Sequence, residues 1–259
     1  MKMYWNNLVR LGTTALTASS AQSTLPVTNL QNAHRDAVWQ SLGTSSTEWI
    51  VSDFGAALKA SSVVLFAHNL LEAESVTIQL SNTADFSVID YTARMQWSHK
   101  ALVAIFPERS FRYCRVNITK SVSTKLAQVG VLFIGECVVP IEAPDFAGVK
   151  WQVNDLSSNQ KTLNGKLFSD VRPSYRSWTL PFTDVRAAQA DKLCEMYVEN
   201  GTHEPFFLQI QDAVDGVQSN ADIRDEVLYV IFQKLTEQSI TGSDDTLLFQ
   251  YNMQLEEYL

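Results

Sequence analysis

The chain has little to do chemistry with. Its three cysteines, Cys114, Cys137 and Cys194, are spread over 259 residues without a C-x-x-C pairing. That usage reads as reduced thiols in or near cores and argues against a disulfide framework. Four histidines, His34, His68, His99 and His203, show no ligand spacing, so no zinc site is expected. There is no G-x-S-x-G, H-E-x-x-H, phosphate-binding Walker loop or dinucleotide glycine fingerprint. The glycines of residues 130–135 (GVLFIG) are five apart but lack the following Lys-Ser/Thr, and their interior reads as a strand. No catalytic residue, metal ligand or cofactor is therefore assigned.

Two further absences bear on partners. Basic clusters are missing, and the formal net charge is −8, which argues against a broad nucleic-acid surface. The longest apolar run, residues 129–135, is too short to span a bilayer as a helix, so no membrane span is expected. The N-terminus (Lys2, Arg10, then LGTTALTASSAQS) superficially resembles a secretion signal. Its apolar stretch is interrupted by Gly12, Thr13, Thr14 and Thr17, so a first strand and a polar turn are the better reading, for a protein made in the cytoplasm.

What is present is a core and many short strands. Hydrophobic residues make up 46% and charged residues 19%, ordinary for a globular chain. In the first half, residues 4–11 and Leu16 read as early strand material, followed by strands over 48–54, 61–70, 75–81, 100–106, 113–119 and 129–136. Gly55 is read as ending the first of these, and Asp53 as a turn residue before it. Short β-branched segments separated by polar turns predict an antiparallel sandwich or barrel. Residues 138–148, with two prolines and a glycine, mark a boundary. The domains are drawn as 1–140 and 141–259.

The second half is organised around residues 176–211. Trp178, Leu180 and Phe182 alternate with polar neighbours as a strand with one buried face. Thr183 or Asp184 then caps a helix whose stripe is Val185, Ala188, Leu193, Met196 and Tyr197, and which Gly201 ends. Pro205 opens a strand over 206–211. Strands over 227–232 and 246–255 complete a small α+β domain, the last with an apolar face opposite an amide-rich one. The expected fold is thus mainly β, an N-terminal jelly-roll sandwich plus a smaller α+β domain with a strand–helix–strand unit.

Two resemblances follow from these residues. Asn29-Leu30, Trp39 before a loop, W-I-V-x-D-F-G (residues 49–55) and V-V-L-F-A-H-N-L (residues 63–70) resemble discoidin-like, galactose-binding-like jelly rolls, in particular those of bacteriophage tail proteins. The leading W-x-L-x-F strand, helix, P-F-F-L and terminal amphipathic strand resemble tail-tip and distal-tail proteins of long-tailed phages. The first resemblance implies loops that bind sugars or lipids and, in some members, structural calcium. Asn29, Asp36 and Asp53 are candidate oxygen donors, but a hard cation needs about six converging oxygens. The second implies a ring-forming virion protein of the tail.

Asp212, Asp215, Asp222, Asp225 and Glu226 lack calcium-loop spacing and read as a solvated acidic loop. His203 and Glu204 belong in a helix-to-strand loop. Asn117 and Asn200 fit the glycosylation pattern only by accident in a protein that is not secreted. A glycosidase needs only two distant carboxylates, which 28 acidic residues always offer, but nothing else suggests one. Trp49 and Trp178 are expected in cores. Trp97, in RMQWSHK, is expected at the surface as a loop-tip contact or a capping side chain.

The expected function is non-enzymatic: a structural protein of a phage tail tip or baseplate, self-assembling into a symmetric ring and docking other tail proteins or fibres. Candidate interface residues are Asp212, Asp215 and Asp222 in the acidic loop and Gln250, Asn252 and Gln254 on the amide face. The alternative is a carbohydrate-binding adhesion module that meets a host-surface glycan through Trp97. An accessory domain of a glycan-degrading enzyme is a third reading.

Overall fold

The computed structural model describes the whole chain except residues 44, 139–143, 145–147, 210–226 and 242–247, and the side chains of 238–241. The chain divides into two compact units. One is built on Met3–Val138, the other on the described parts of Val139–Asp212 with Leu228–Leu259. The fold is mainly β, with a single α-helix among the described residues.

The first unit contains β1 (Lys2–Trp5), β2 (Ala15–Ala18), β3 (Trp39–Gln40), β4 (Thr47–Phe66), β5 (Ser75–Ser81), β6 (Tyr91–Arg94), β7 (Gln96–Trp97), β8 (Ala101–Thr119), β9 (Gln128–Val129) and β10 (Val131–Val138). Two very long strands, β4 and β8, pair antiparallel and carry the architecture. Their register shifts twice. Between the pairs Asp53–Tyr113 and Leu58–Phe111, four residues of β4 face a single residue of β8. Between Ala60–Arg109 and Ser62–Ile105, three residues of β8, Pro107 among them, face one of β4. Such bulges bend a strand sharply and let it pass from one sheet to another. Gly55, at φ +76°, sits inside the first bulge, where a side chain would be strained.

The bends create two leaves from one ladder. The first half of β4 and second half of β8 form one leaf with β2, β5 and β6. The second half of β4 and first half of β8 form the other with β1, β10 and β7. Between them lies the core: Ile50, Phe54, Ile78, Leu80, Val116 and Ile118 from the first leaf, Val63, Leu65, Leu102, Leu132 and Ile134 from the second. This is the antiparallel jelly-roll sandwich.

Several local expectations are corrected. Gly55 does not end a strand, and residues 100–106 and 113–119 are not separate: each belongs to a strand continued through a bulge. Residues 4–11 are not one strand. β1 stops at Trp5, and Leu8–Arg10 form a 3-10 turn whose first amides are capped by the Asn7 side chain accepting from Val9 N at 3.2 Å. Trp49 is not in the core. It alternates with buried Glu48 and Ile50 and faces outward at 37% exposure. Asp53 is more than a turn residue: its carboxylate accepts from Gly55 N and also pairs with Arg112.

The second unit contains β11 (Lys150–Asp155), β12 (Ser158–Lys161), β13 (Leu167–Asp170), β14 (Ser174–Arg186), α1 (Ala187–Asn200), β15 (Phe206–Gln209), β16 (Val227–Thr241) and β17 (Leu248–Glu257). Its sheet runs β11-β14-β17-β16-β15, and among the described residues β12 pairs only with β13. The alternating Trp178, Leu180 and Phe182 are buried, as are Tyr251, Met253 and Leu255 on β17. Helix α1 covers this face with Ala190, Leu193 and Met196 and packs on β14 and β17. Phe206 lies against Phe232, with ring centroids 4.6 Å apart, and Tyr197 meets the same ring edge-on at 5.3 Å.

The helix begins later than its sequence signals. β14 has a bulge between Phe182 and Val185, with Asp184 at φ +59°, and carries on to Arg186. Val185 is therefore a buried strand residue opposite Phe249, and neither Thr183 nor Asp184 caps the helix. Gly201 ends it at φ +57°, donating its amide to Tyr197 O at 2.9 Å. After Asp155 the chain forms a hairpin, β12 paired antiparallel with β13.

Candidate functional site

In the second unit, the segment from β11 to β13 breaks the rule that apolar side chains are covered. Trp151, Val153, Leu156, Leu163, Leu167, Phe168 and Val171 are all exposed, seven of the sixteen large exposed apolar residues described in the chain, within 21 positions. Chance scatter of single surface hydrophobes does not produce that concentration.

Geometry explains what the segment lacks. Among the described residues β11 is an edge strand, and Trp151 is paired directly with Trp178. Paired residues share a face, so Trp151 and Val153 extend the core-facing side of the sheet one strand beyond its cover. Trp178 is 2% exposed, whereas Trp151 is 53% exposed. β12 and β13 form a two-stranded hairpin in which every residue is exposed. Its turn closes through Thr162 N to Lys166 O and Gly165 N to Thr162 O, both 2.9 Å, with Gly165 at φ +76°. Leu163 stands fully exposed at the tip. An isolated two-stranded hairpin is marginal in water and gains stability when a surface covers it. Residues 150–172 also carry four basic and two acidic side chains in a chain of net charge −8. The arm is thus apolar and locally cationic on an acidic protein.

The interface residues expected from sequence lie outside this arm. β17 is an interior strand, paired on both sides. Its amide face is flanked on each side: Gln254 lies between Thr179 and Lys234, Asn252 between Pro181 and Thr236, and Gln250 opposite Ser239. Gln254 is exposed, while Gln250 and Asn252 are half-buried. Asp212, Asp215 and Asp222 lie outside the described residues. On the same unit Tyr251 Oη donates to Glu237 at 3.1 Å and sits 3.7 Å from Cys194 Sγ. Burial and these neighbours push the Tyr251 phenol well above its ordinary value, which keeps it a neutral donor.

In the sandwich, Trp97 on β7 is half-buried rather than a bare loop tip. It packs against the core, its Nε1 donates to Leu70 O at 3.1 Å, and its ring meets His99 edge-on. His68, on the neighbouring loop, is held below its ordinary value by burial. Asp53 accepts from Arg112 Nε and Nη2 at 2.8 and 3.1 Å, and that pairing holds its carboxyl below the usual range. Asn29 donates to Val38 O at 2.8 Å. Among the described residues, no group of three or more His, Cys, Asp or Glu side chains is placed to hold a metal ion.

The outward face of the first leaf was not singled out from sequence. It presents Trp49 beside Asn117, Gln79 and Arg115, planar polar groups around an exposed indole. The period-two pattern groups these residues on one face but does not say whether that face is covered.

No protein-family model matches the chain, and no curated protein matches it. Solved structures resemble about half of it. The lectin domain of lectinolysin complexed with Lewis B antigen has a TM-score of 0.43 and 14% identity, covering 51% of this chain and 98% of that one. A family 32 carbohydrate-binding module from Clostridium perfringens NanJ, in complex with galactose, has a TM-score of 0.41 and 10% identity, covering 52% and 98%. A Ruminococcus gnavus GH29 fucosidase in complex with fucose has a TM-score of 0.44 and 10% identity; 51% of this chain aligns with only 27% of that one. At these scores and identities the likeness is one of general form.

Proposed function

We propose that this chain is a non-enzymatic structural protein that assembles with copies of itself through the second unit, the role expected of a tail-tip or baseplate protein in a phage virion. The observation that carries the reading is the uncovered arm, residues 150–172. An edge strand whose core-facing side is left bare by the described residues, joined to a hairpin whose strand residues are all exposed, is half of an interface. A cationic apolar arm on an otherwise acidic chain is complementary to a different patch of a second copy. Such a heterologous contact closes into a ring when the rotation fits. In this reading the arm takes the leading place.

Sedimentation velocity of the full chain over a range of concentrations tests this. Higher oligomers are expected for the native protein. Trp151→Ser with Phe168→Ser is expected to be monomeric with unchanged circular dichroism. Identical sedimentation of the two at every concentration overturns the reading.

A second reading, adhesion to a glycan through the sandwich, is favoured by one observation, the exposed Trp49 among amide and guanidinium groups. Proteins of similar general form bind fucose, galactose and Lewis antigens, and the two readings are compatible: one unit assembles and the other recognises a surface.

A further inference from the structure

We propose that the outward face of the β2-β4-β8-β5-β6 leaf is a binding platform for an acidic oligosaccharide of hexuronic acid type. The proposal rests on the glycan reading above and names the site and the sugar class.

The face is assembled by register. Trp49 on β4 lies opposite Asn117 on β8, Asn117 opposite Thr77 on β5, and Thr77 opposite Arg94 on β6. This row crosses four strands, and at a strand spacing of about 4.8 Å it is about 14 Å long, room for a short run of sugar rings. The next row is Val51, Arg115, Gln79 and Thr92.

The polar groups are held in place before any ligand arrives. Gln79 Oε1 accepts from Arg115 Nε at 2.8 Å, from Arg115 Nη2, and from Asn117 Nδ2 at 2.9 Å. Three donors on one oxygen fix the amide orientations and leave the Gln79 amide hydrogens and Asn117 Oδ1 for a ligand's hydroxyls. The Arg115 guanidinium lies 4.2 Å from the Phe86 ring centroid, so the loop carrying Phe86 bounds this end of the face. Preorganisation of this kind lowers the ordering cost of binding.

Charge and shape select the occupant. Asp53, at the edge of the face, is already neutralised by Arg112. Arg94 is exposed and has no ion-pair partner among the described residues. With Arg115 two strands away on the same side of the leaf, the face carries two guanidinium groups on a chain of net charge −8. A guanidinium recognises a carboxylate through a planar fork, and an exposed indole takes a flat apolar ring face. A hexuronate offers both, since its equatorial carboxylate leaves the pyranose face clear. A sialic acid does not, because its axial carboxylate and glycerol tail interrupt that face.

The test is calorimetric titration of the full chain with a galacturonic acid tetramer, sialyllactose and a neutral galactose oligomer. The tetramer is expected to bind, more weakly as salt is raised. Trp49→Ala and Arg94→Ala are each expected to lose at least about tenfold in affinity with unchanged melting, while Trp97→Ala binds as the native chain does. Tetramer binding that survives both Trp49→Ala and Arg94→Ala overturns this site and leaves the glycan reading standing. Preference for sialyllactose or the neutral oligomer overturns the uronate assignment. No binding of any of the three at millimolar concentration overturns both the site and the glycan reading.

Discussion

Replacing Lys120 with methionine is expected to destabilise the sandwich by about 3 kcal/mol, near the low end of the range for breaking a buried ion pair. Lys120 Nζ lies 3.4 Å from Glu48 Oε1, and the two side chains are 0% and 1% exposed. The ammonium also donates to Ser123 O at 3.0 Å and Lys125 O at 2.8 Å, tying the loop after β8 to the start of β4. Methionine keeps most of the volume but removes the cation, leaving one buried carboxylate oxygen and two carbonyls without it. The cost is moderated because Glu48 Oε2 still accepts from the Ser19 and Ser20 hydroxyls. The lost charge-assisted bonds, about 1.5–3 kcal/mol each in other proteins, exceed what the added apolar burial of methionine returns. Urea unfolding of the full chain, fitted for the transition of the first unit, measures the loss. Glu48→Gln combined with Lys120→Met is expected to recover part of it, as a double-mutant cycle for a coupled pair requires. A loss below about 1 kcal/mol for Lys120→Met, or strict additivity in the cycle, would refute the reasoning.

The remaining predictions concern close packing and protonation. Gly130→Ala is expected to cost about 1–3 kcal/mol, because its Cβ would collide with the Arg35 carbonyl oxygen and stand 2.9 Å from Ala67 Cβ. Gly12→Ala is the control, since nothing lies within 4 Å of its Cβ, and equal melting temperatures for the two variants would count against this packing. His68 has a folded-state pKa below its ordinary 6.5, so the unfolded chain binds the proton more readily. Its contribution to stability is therefore complete above about pH 6.5 and is lost as pH falls from there toward the folded value. Chemical unfolding between pH 7.5 and 5 should show a slope that His68→Asn reduces, and an unchanged slope would contradict it.

Much of the fold was legible because strands announce themselves by alternation. Trp178, Leu180, Phe182 and Tyr251, Met253, Leu255 are buried where period two puts them. What alternation leaves open is which side is inward. Residues 48–54 offer Trp49 and Val51 against Glu48 and Ile50, and hydropathy favours burying the tryptophan. The structure buries Glu48 instead, because Lys120 and two serines, 72, 29 and 28 positions away, satisfy its carboxylate. No local pattern carries that information. For the same reason the continuity of β4 and β8 was hidden: a bulge is set by the partner's register, and Gly55 and Pro107 look like stops when read alone. The helix start was missed because Asp184, a good cap by type, adopts a positive φ within a bulge. The arm was hidden most deeply, since Trp151, Leu167 and Phe168 have the composition of core residues.

Assembly through the second unit is the central claim, and negative-stain imaging of the purified chain tests it most directly. Closed rings of identical copies are expected, and they disappear in the Trp151→Ser, Phe168→Ser variant. Single particles under all conditions, or rings that persist when the arm's apolar side chains are removed, would contradict it.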